Sequence, residues 1–227
     1  MARAIPVEQA APEWIAVGDN PRPRGEASAP HVSYARERHG SGERMHVDID
    51  CRLDGYWASR CGEGFIDQVD IVGGRVLDNP GLPRVPAQVF SVALPFGADF
   101  DPEGVEVRVD REGVARERVQ LRAIPRPQLE GTRAMVEPDP AAFERVGWFP
   151  RAAAVLRPAP TLDGMERLVA RVNPLAFEPI SGRLLVRSRI RIGFSCAVRN
   201  HGLYDQDSVD LLSPVLRGVL GSRQLVT

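Results

Sequence analysis

From Leu184 to Phe194 side chains alternate. Leu184, Val186, Ser188, Ile190, Ile192 and Phe194 fall on one side, and Arg183, Arg187, Arg189 and Arg191 on the other. A period of two is the signature of a strand with one buried face, and a helix cannot place such residues together. The arginine face is either an anion-binding patch or a solvated sheet surface. The second reading is favoured, because antiparallel sheets commonly show one face to water. Shorter stretches repeat the pattern. Met45, Val47, Ile49, Cys51 and Leu53 alternate with polar residues, and Phe65 to Val72 ends at Gly73-Gly74. Val89 to Leu94, Val105 to Val109, Ala152 to Leu156 and Leu168 to Val172 add further strands. Arg111-Glu112-Gly113 reads as a tight hairpin turn into Val114 to Ile124. Glycine and proline together number 41 of 227 residues, about 18% against an average near 12%. Both break helices. Strands at short intervals, separated by such turns, predict an all-β chain: an antiparallel, jelly-roll-like β-sandwich.

The ends differ from the middle. Residues 1–42 have poor apolar periodicity and read as an extended or flexible segment, with one short strand around Trp14 to Val17. Residues 43–199 carry the sandwich. Residues 200–227 read as a linker with a short helix, capped by Ser213 with Pro214 in its first turn and apolar at Val215, Leu216, Val219 and Leu220. The longest stretch without a period is 125–150. It holds five prolines among Arg126, Arg133 and Arg145. A long irregular loop in a compact domain is usually functional or mobile.

Charge and chemistry exclude several classes. The net charge is −1 and no basic stripe appears, which argues against a nucleic-acid partner. Every basic residue is arginine. No apolar run is long enough to span a membrane, and no signal peptide is visible at the N-terminus. No glycine-rich phosphate loop precedes a helix, so no cofactor is expected. His31, His39, His46, Cys51 and Cys61 share the first third without a metal-site spacing, and no metal is expected. Cys51 and Cys61 either form a disulfide across a hairpin or are two unrelated thiols. Cys196 falls on the apolar side of its strand and reads as a core residue. It lies five residues from His201, but a strand end offers no positioned base, so the pair is not a catalytic dyad.

Two stretches together resemble one family. The first is Val72-Gly73-Gly74 through Asn79-Pro80-Gly81-Leu82-Pro83-Arg84-Val85-Pro86, then a strand ending Ala93-Leu94-Pro95-Phe96-Gly97. The second is Gly147-Trp148-Phe149-Pro150, then Gly164 and Leu168 through Asn173-Pro174-Leu175-Ala176-Phe177-Glu178-Pro179, then Ser181-Gly182-Arg183-Leu184. Their order and spacing over residues 72–198 are similar to those of the N-terminal pro-domain of the gingipain family of cysteine peptidases. Phe149 and Phe177 stand where the family usually has tyrosine, and Arg84-Val85 replaces its usual leucine. The peptidase domain that follows a linker in the family is not part of this chain.

The resemblance implies a noncatalytic module, exported to the cell exterior or envelope. Its partner would be a cysteine peptidase catalytic domain, in cis or in trans, which it helps to fold and keeps latent until cleaved. In such inhibitors a loop lies in the substrate cleft, with a basic side chain in the specificity pocket when the enzyme cuts after Arg or Lys. Arg122, Arg126 and Arg133 are the inhibitory-loop candidates, with Arg126 or Arg133 as the plug. Arg126 lies between two prolines, and a segment held extended loses less entropy on docking. The alternative is an adhesion or carbohydrate-binding sandwich that displays Tyr56, Trp57 and Trp148, since fold does not fix function.

Overall fold

The computed structural model describes residues 11–18, 28–39, 42–61, 65–76, 79–95, 97–115, 118–124, 138–162 and 165–198. The expected helix at 213–221 lies outside them. The described chain is an all-β antiparallel sandwich. Its strands are β1 (Glu13–Ala16), β2 (His31–His39), β3 (Gly42–Arg52), β4 (Gly55–Cys61), β5 (Phe65–Asp70), β6 (Gly74–Val76) and β7 (Pro86–Leu94). They continue as β8 (Ala98–Phe100), β9 (Glu106–Val114), β10 (Ala154–Leu162), β11 (Met165–Val172), β12 (Leu175–Glu178) and β13 (Arg183–Val198). One helical turn, α1 (Pro140–Phe143), is capped by Asp139.

The alternating stretch that opened the sequence reading becomes β13, the 16-residue spine of the largest sheet. It pairs with β3 and β12 along one edge and with β9 and β8 along the other. A four-stranded sheet, β10-β11-β7-β6, faces it. Between them lie Val47, Ile49, Cys51, Ile190, Ile192 and Phe194 from one side, and Val92, Leu94, Leu168, Ala170 and Val172 from the other. Each fully buried Ile or Leu here contributes about 1.5–3 kcal/mol. A second core lies against the three-stranded sheet β1-β4-β5, where Tyr56, Ile66, Val69 and Val85 meet Leu175, Phe177 and Leu184. Pro158 and Pro160 sit within β10, which the missing N–H groups allow because β10 is an edge strand.

Two expectations need correction, and one strand was not expected. Residues 31–39 are not part of an extended tail: β2 pairs with β3 from His31↔Asp50 to His39↔Gly42. β4 has no counterpart in the sequence reading. Arg111-Glu112-Gly113 makes no hairpin, because β9 continues through it, with register shifts against β13 beside Arg111 and with Gly113 opposite Val186. The long partner strand β13 overrides a weak local turn signal there.

Candidate functional site

The arginine-bearing stretch from 125 onward is held by its two roots. Residues 118–124 run beside β5. Val119 makes a parallel bridge to Ile66, and Arg122 N–H donates to Asp67 O at 3.2 Å. The 79–85 loop lies next to them. Ile124 N–H donates to Leu82 O at 2.8 Å, and Arg84 N–H to Arg122 O at 2.9 Å. Gly81 touches both roots at once. Its N–H donates to Ile124 O at 2.9 Å, and its carbonyl accepts from Asp139 N–H, also at 2.9 Å. Gly81 has φ +87°, and a Cβ there would stand 3.3 Å from Asp139 Cβ. Glycine is therefore required for the backbone conformation and for the close approach. Asp139 is held in turn, because its carboxylate accepts from Ala141 N–H at 3.0 Å and caps α1.

Side chains of β5 complete the frame. Arg122 Nη2 forms an ion pair with Asp67 Oδ2, and Asp67 is only 3% exposed while Arg122 is half exposed. Arg84 donates to Asp70 at 3.2 Å, and Gln68 donates to the same carboxylate at 2.6 Å. Arg84-Val85, the departure from the family's leucine, is thus divided between a salt link and a core position, since Val85 is 1% exposed.

Of the loop candidates, Arg122 has its partner within the chain. Arg126 and Arg133 lie outside the described residues. Cys51 is a free buried thiol rather than half of a bridge. It belongs to the β3–β13 sheet and its core, whereas Cys61 ends β4 in a different sheet, opposite Phe65. The Cys61 side chain lies outside the described set. Burial pushes the Cys51 thiol up to about 12, with the nearby Asp50 adding to the effect. Cys196 is a core residue, 1% exposed, as its parity implied.

The arginine face of β13 is not an anion patch. Arg189 donates to both Asp50 oxygens, at 3.0 and 2.9 Å. Arg191 contacts Asp110 at 2.8 Å, and Arg183 contacts Glu178 at 2.6 Å. Arg187 is 5% exposed and donates to Asn173 O at 3.0 Å. Burial of Asp50 would raise its pKa, but hydrogen bonds and charge from Arg189 and Arg52 outweigh it and hold the carboxyl below its ordinary value. A dent of about 220 Å³ over Gly193 is lined by Asp48, Glu106, Arg108 and Arg191, so both signs of charge face it.

The aromatic platform required by the carbohydrate reading is reduced. Tyr56 is a core residue, 2% exposed. Trp57 packs edge-on against Trp14, centroids 5.2 Å apart, and the Arg183 guanidinium covers the Trp148 ring at 5.5 Å. One cluster escaped the sequence reading. Ser195 Oγ shares a 2.7 Å hydrogen bond with His46 Nδ1, and Glu37 lies 3.3 Å from His46 Nε2. Its members come from three strands, with Ser195 and His46 149 residues apart, so only the register brings them together. The ring nitrogens are reversed relative to the serine–histidine–aspartate arrangement of serine hydrolases, where Nε2 meets the serine. The cluster reads as cross-strand pairing on an open sheet face.

No family model matches the chain, and no curated protein matches it. Solved structures do. A chain from a study of zymogenic latency in gingipain K of Porphyromonas gingivalis superposes with a TM-score of 0.59 at 16% identity, over 83% of this chain and 100% of that one. A chain from the complex of the RgpB pro- and mature domains of the same organism gives 0.56 at 14% identity, over 85% of this chain and 98% of that one. The protein therefore has a gingipain pro-domain-like fold.

Proposed function

We propose that the chain is the noncatalytic pro-domain of a gingipain-like cysteine peptidase, which assists folding of that peptidase and blocks its active site until cleaved. The observation that carries this reading is the fold likeness, which takes in the whole of one matched chain. The frame around Gly81 supports it, because a segment fixed at both roots loses less entropy on docking. Arg126 is the better plug of the two arginines. The following residue is Pro127, whose nitrogen carries no hydrogen and is enclosed in a ring. A peptidase that seats Arg126 in its specificity pocket thus meets a bond poorly suited to cleavage, whereas Arg133 is followed by Ala134. The partner works outside the cytoplasm, and so does this chain. No helix among the described residues is long and apolar enough to cross a membrane.

The test is inhibition. Wild type, Arg126→Ala, Arg133→Ala and the double variant are titrated into the mature RgpB domain, assayed on arginine and lysine amide substrates. Inhibition that weakens most in Arg126→Ala supports the reading. Unchanged inhibition in the double variant removes the plug, and absence of inhibition by wild type of both the mature RgpB and gingipain K domains removes the pro-domain assignment.

A further inference from the structure

We propose that the outward face of β10, β11 and β7 is a docking surface for an extended acidic segment of a partner protein, with two carboxylates seated among Arg157, Arg167 and Arg171. The proposal goes beyond the pro-domain reading and needs no peptidase.

Three features converge on it. First, the register gathers the arginines. Leu168, Ala170 and Val172 point into the core, so Arg167, Val169 and Arg171 of β11 face outward. Cross-strand partners share a face, which adds Val155, Arg157 and Ala159 of β10 and Val89, Ser91 and Ala93 of β7. Arg157 stands opposite Val169 and is therefore the diagonal neighbour of both Arg167 and Arg171. Second, these positions hold three arginines and no carboxylate. On β13, by contrast, Arg183, Arg189 and Arg191 each meet an aspartate or glutamate. Arg167 gives two donors to Pro160 O, at 3.1 and 2.9 Å, which anchors its guanidinium without neutralising it. Arg171 Nε is enclosed without a hydrogen-bond partner. Burial, with the like charge of Arg157 added, lowers the Arg171 pKa. A carboxylate that reaches such a cation restores its charged form. Third, the spacing fits an extended chain. Arg167 and Arg171 lie four residues apart, about 13 Å along the strand, with Arg157 between them on the next strand. Two carboxylates, each shared by Arg157 and one of the other two, would stand about 6.6 Å apart, which is the step from residue i to i+2 on a strand. Ala93, Ala159 and Val169 are short side chains, so an extended backbone can lie close to this floor.

Short capped peptides with a fluorescent tag test the face by anisotropy, titrated with the full chain at low salt. One carries two glutamates two residues apart in a threonine background. The second sets the same two glutamates four residues apart, and the third has glutamine in place of both. The first is expected to bind saturably, about tenfold more tightly than the third and more tightly than the second, and to weaken as salt is raised. Arg157→Gln and Arg171→Gln are each expected to weaken it by about threefold to tenfold. Arg108→Gln, which removes a cation already paired with Glu106 on β9, is expected to leave it unchanged. Arg157 is exposed, so Arg157→Gln serves if Arg171→Gln does not fold. Urea denaturation of Arg157→Gln gives a second reading: stability is expected to hold, because no ion pair is lost, and a clear loss contradicts the unpaired state. No binding by wild type, equal binding of the glutamate and glutamine peptides, equal binding of the two glutamate spacings, or unchanged binding in Arg157→Gln overturns the proposal. So does tighter binding to phosphatidylglycerol vesicles that the same variants abolish, since the face would then belong to a membrane. Failure of wild type to inhibit the mature gingipain domains bears on the pro-domain reading alone, because the peptide assay contains no such domain.

Discussion

Cys51 is a thiol that burial has withdrawn from chemistry. The thiolate is the reactive form, and with the pKa pushed up to about 12 almost none is present at neutral pH. An aromatic disulfide reagent at pH 8 is therefore expected to leave Cys51 and Cys196 unmodified in the folded chain and to label both once urea unfolds it. Rapid labelling of either in the folded chain contradicts this placement. Parity along β13 was enough to put Cys196 in the core. It did not reveal Tyr56 as a core residue, because β4 is short and its alternation is masked by Trp57 beside it. The Arg122–Asp67 pair was equally hidden, since the partners lie 55 residues apart and are brought together only by the pairing of residues 118–122 with β5.

At the scale of elements, β13 and its neighbours form an ion-pair ladder with a defined pH response. Asp50 and Asp110 are held below the ordinary aspartate range, Asp50 against its burial by Arg189 and Arg52, Asp110 chiefly by the Arg191 hydrogen bond. Depressed carboxylates stabilise the fold above the unfolded value, and that stability is lost as pH falls through the lower folded values. Arg189→Met should therefore lower stability at pH 7, by a loss that shrinks as pH falls through the lowered values of the two folded carboxylates, where they become protonated in wild type as well. Urea denaturation at pH 7 and in acid checks this, and an equal loss at both contradicts it. Phe177 belongs to the second core and exchanges two backbone hydrogen bonds with Phe149, at 2.8 and 2.7 Å. Phe177→Ala should destabilise by about 3–5 kcal/mol. The long strands were legible because alternation survives over many residues. The continuation of β9 through Gly113 was not, because its partner Val186, 73 residues away, decides it rather than the local turn signal.

At the scale of the whole molecule, the 125–137 segment separates β1–β9 from β10–β13 in sequence, and the sheets reunite them. β11 pairs with β7, and β13 pairs with β3, β8 and β9. Both cores draw side chains from the two halves. A single cut after Arg133 should thus yield two fragments that elute together from a sizing column and separate only in denaturant. Separation under native conditions contradicts the architecture. The sandwich class was readable from turns and alternation. The two-core arrangement was not, since it depends on one strand, β13, serving both cores. The central claim, that this sandwich is the latency module of a cysteine peptidase, is tested most directly by titrating the intact chain into the mature RgpB and gingipain K domains. The account predicts saturable inhibition of at least one of them at about micromolar affinity or tighter, relieved by Arg126→Ala. Full activity of both domains in a large excess of the folded chain contradicts it.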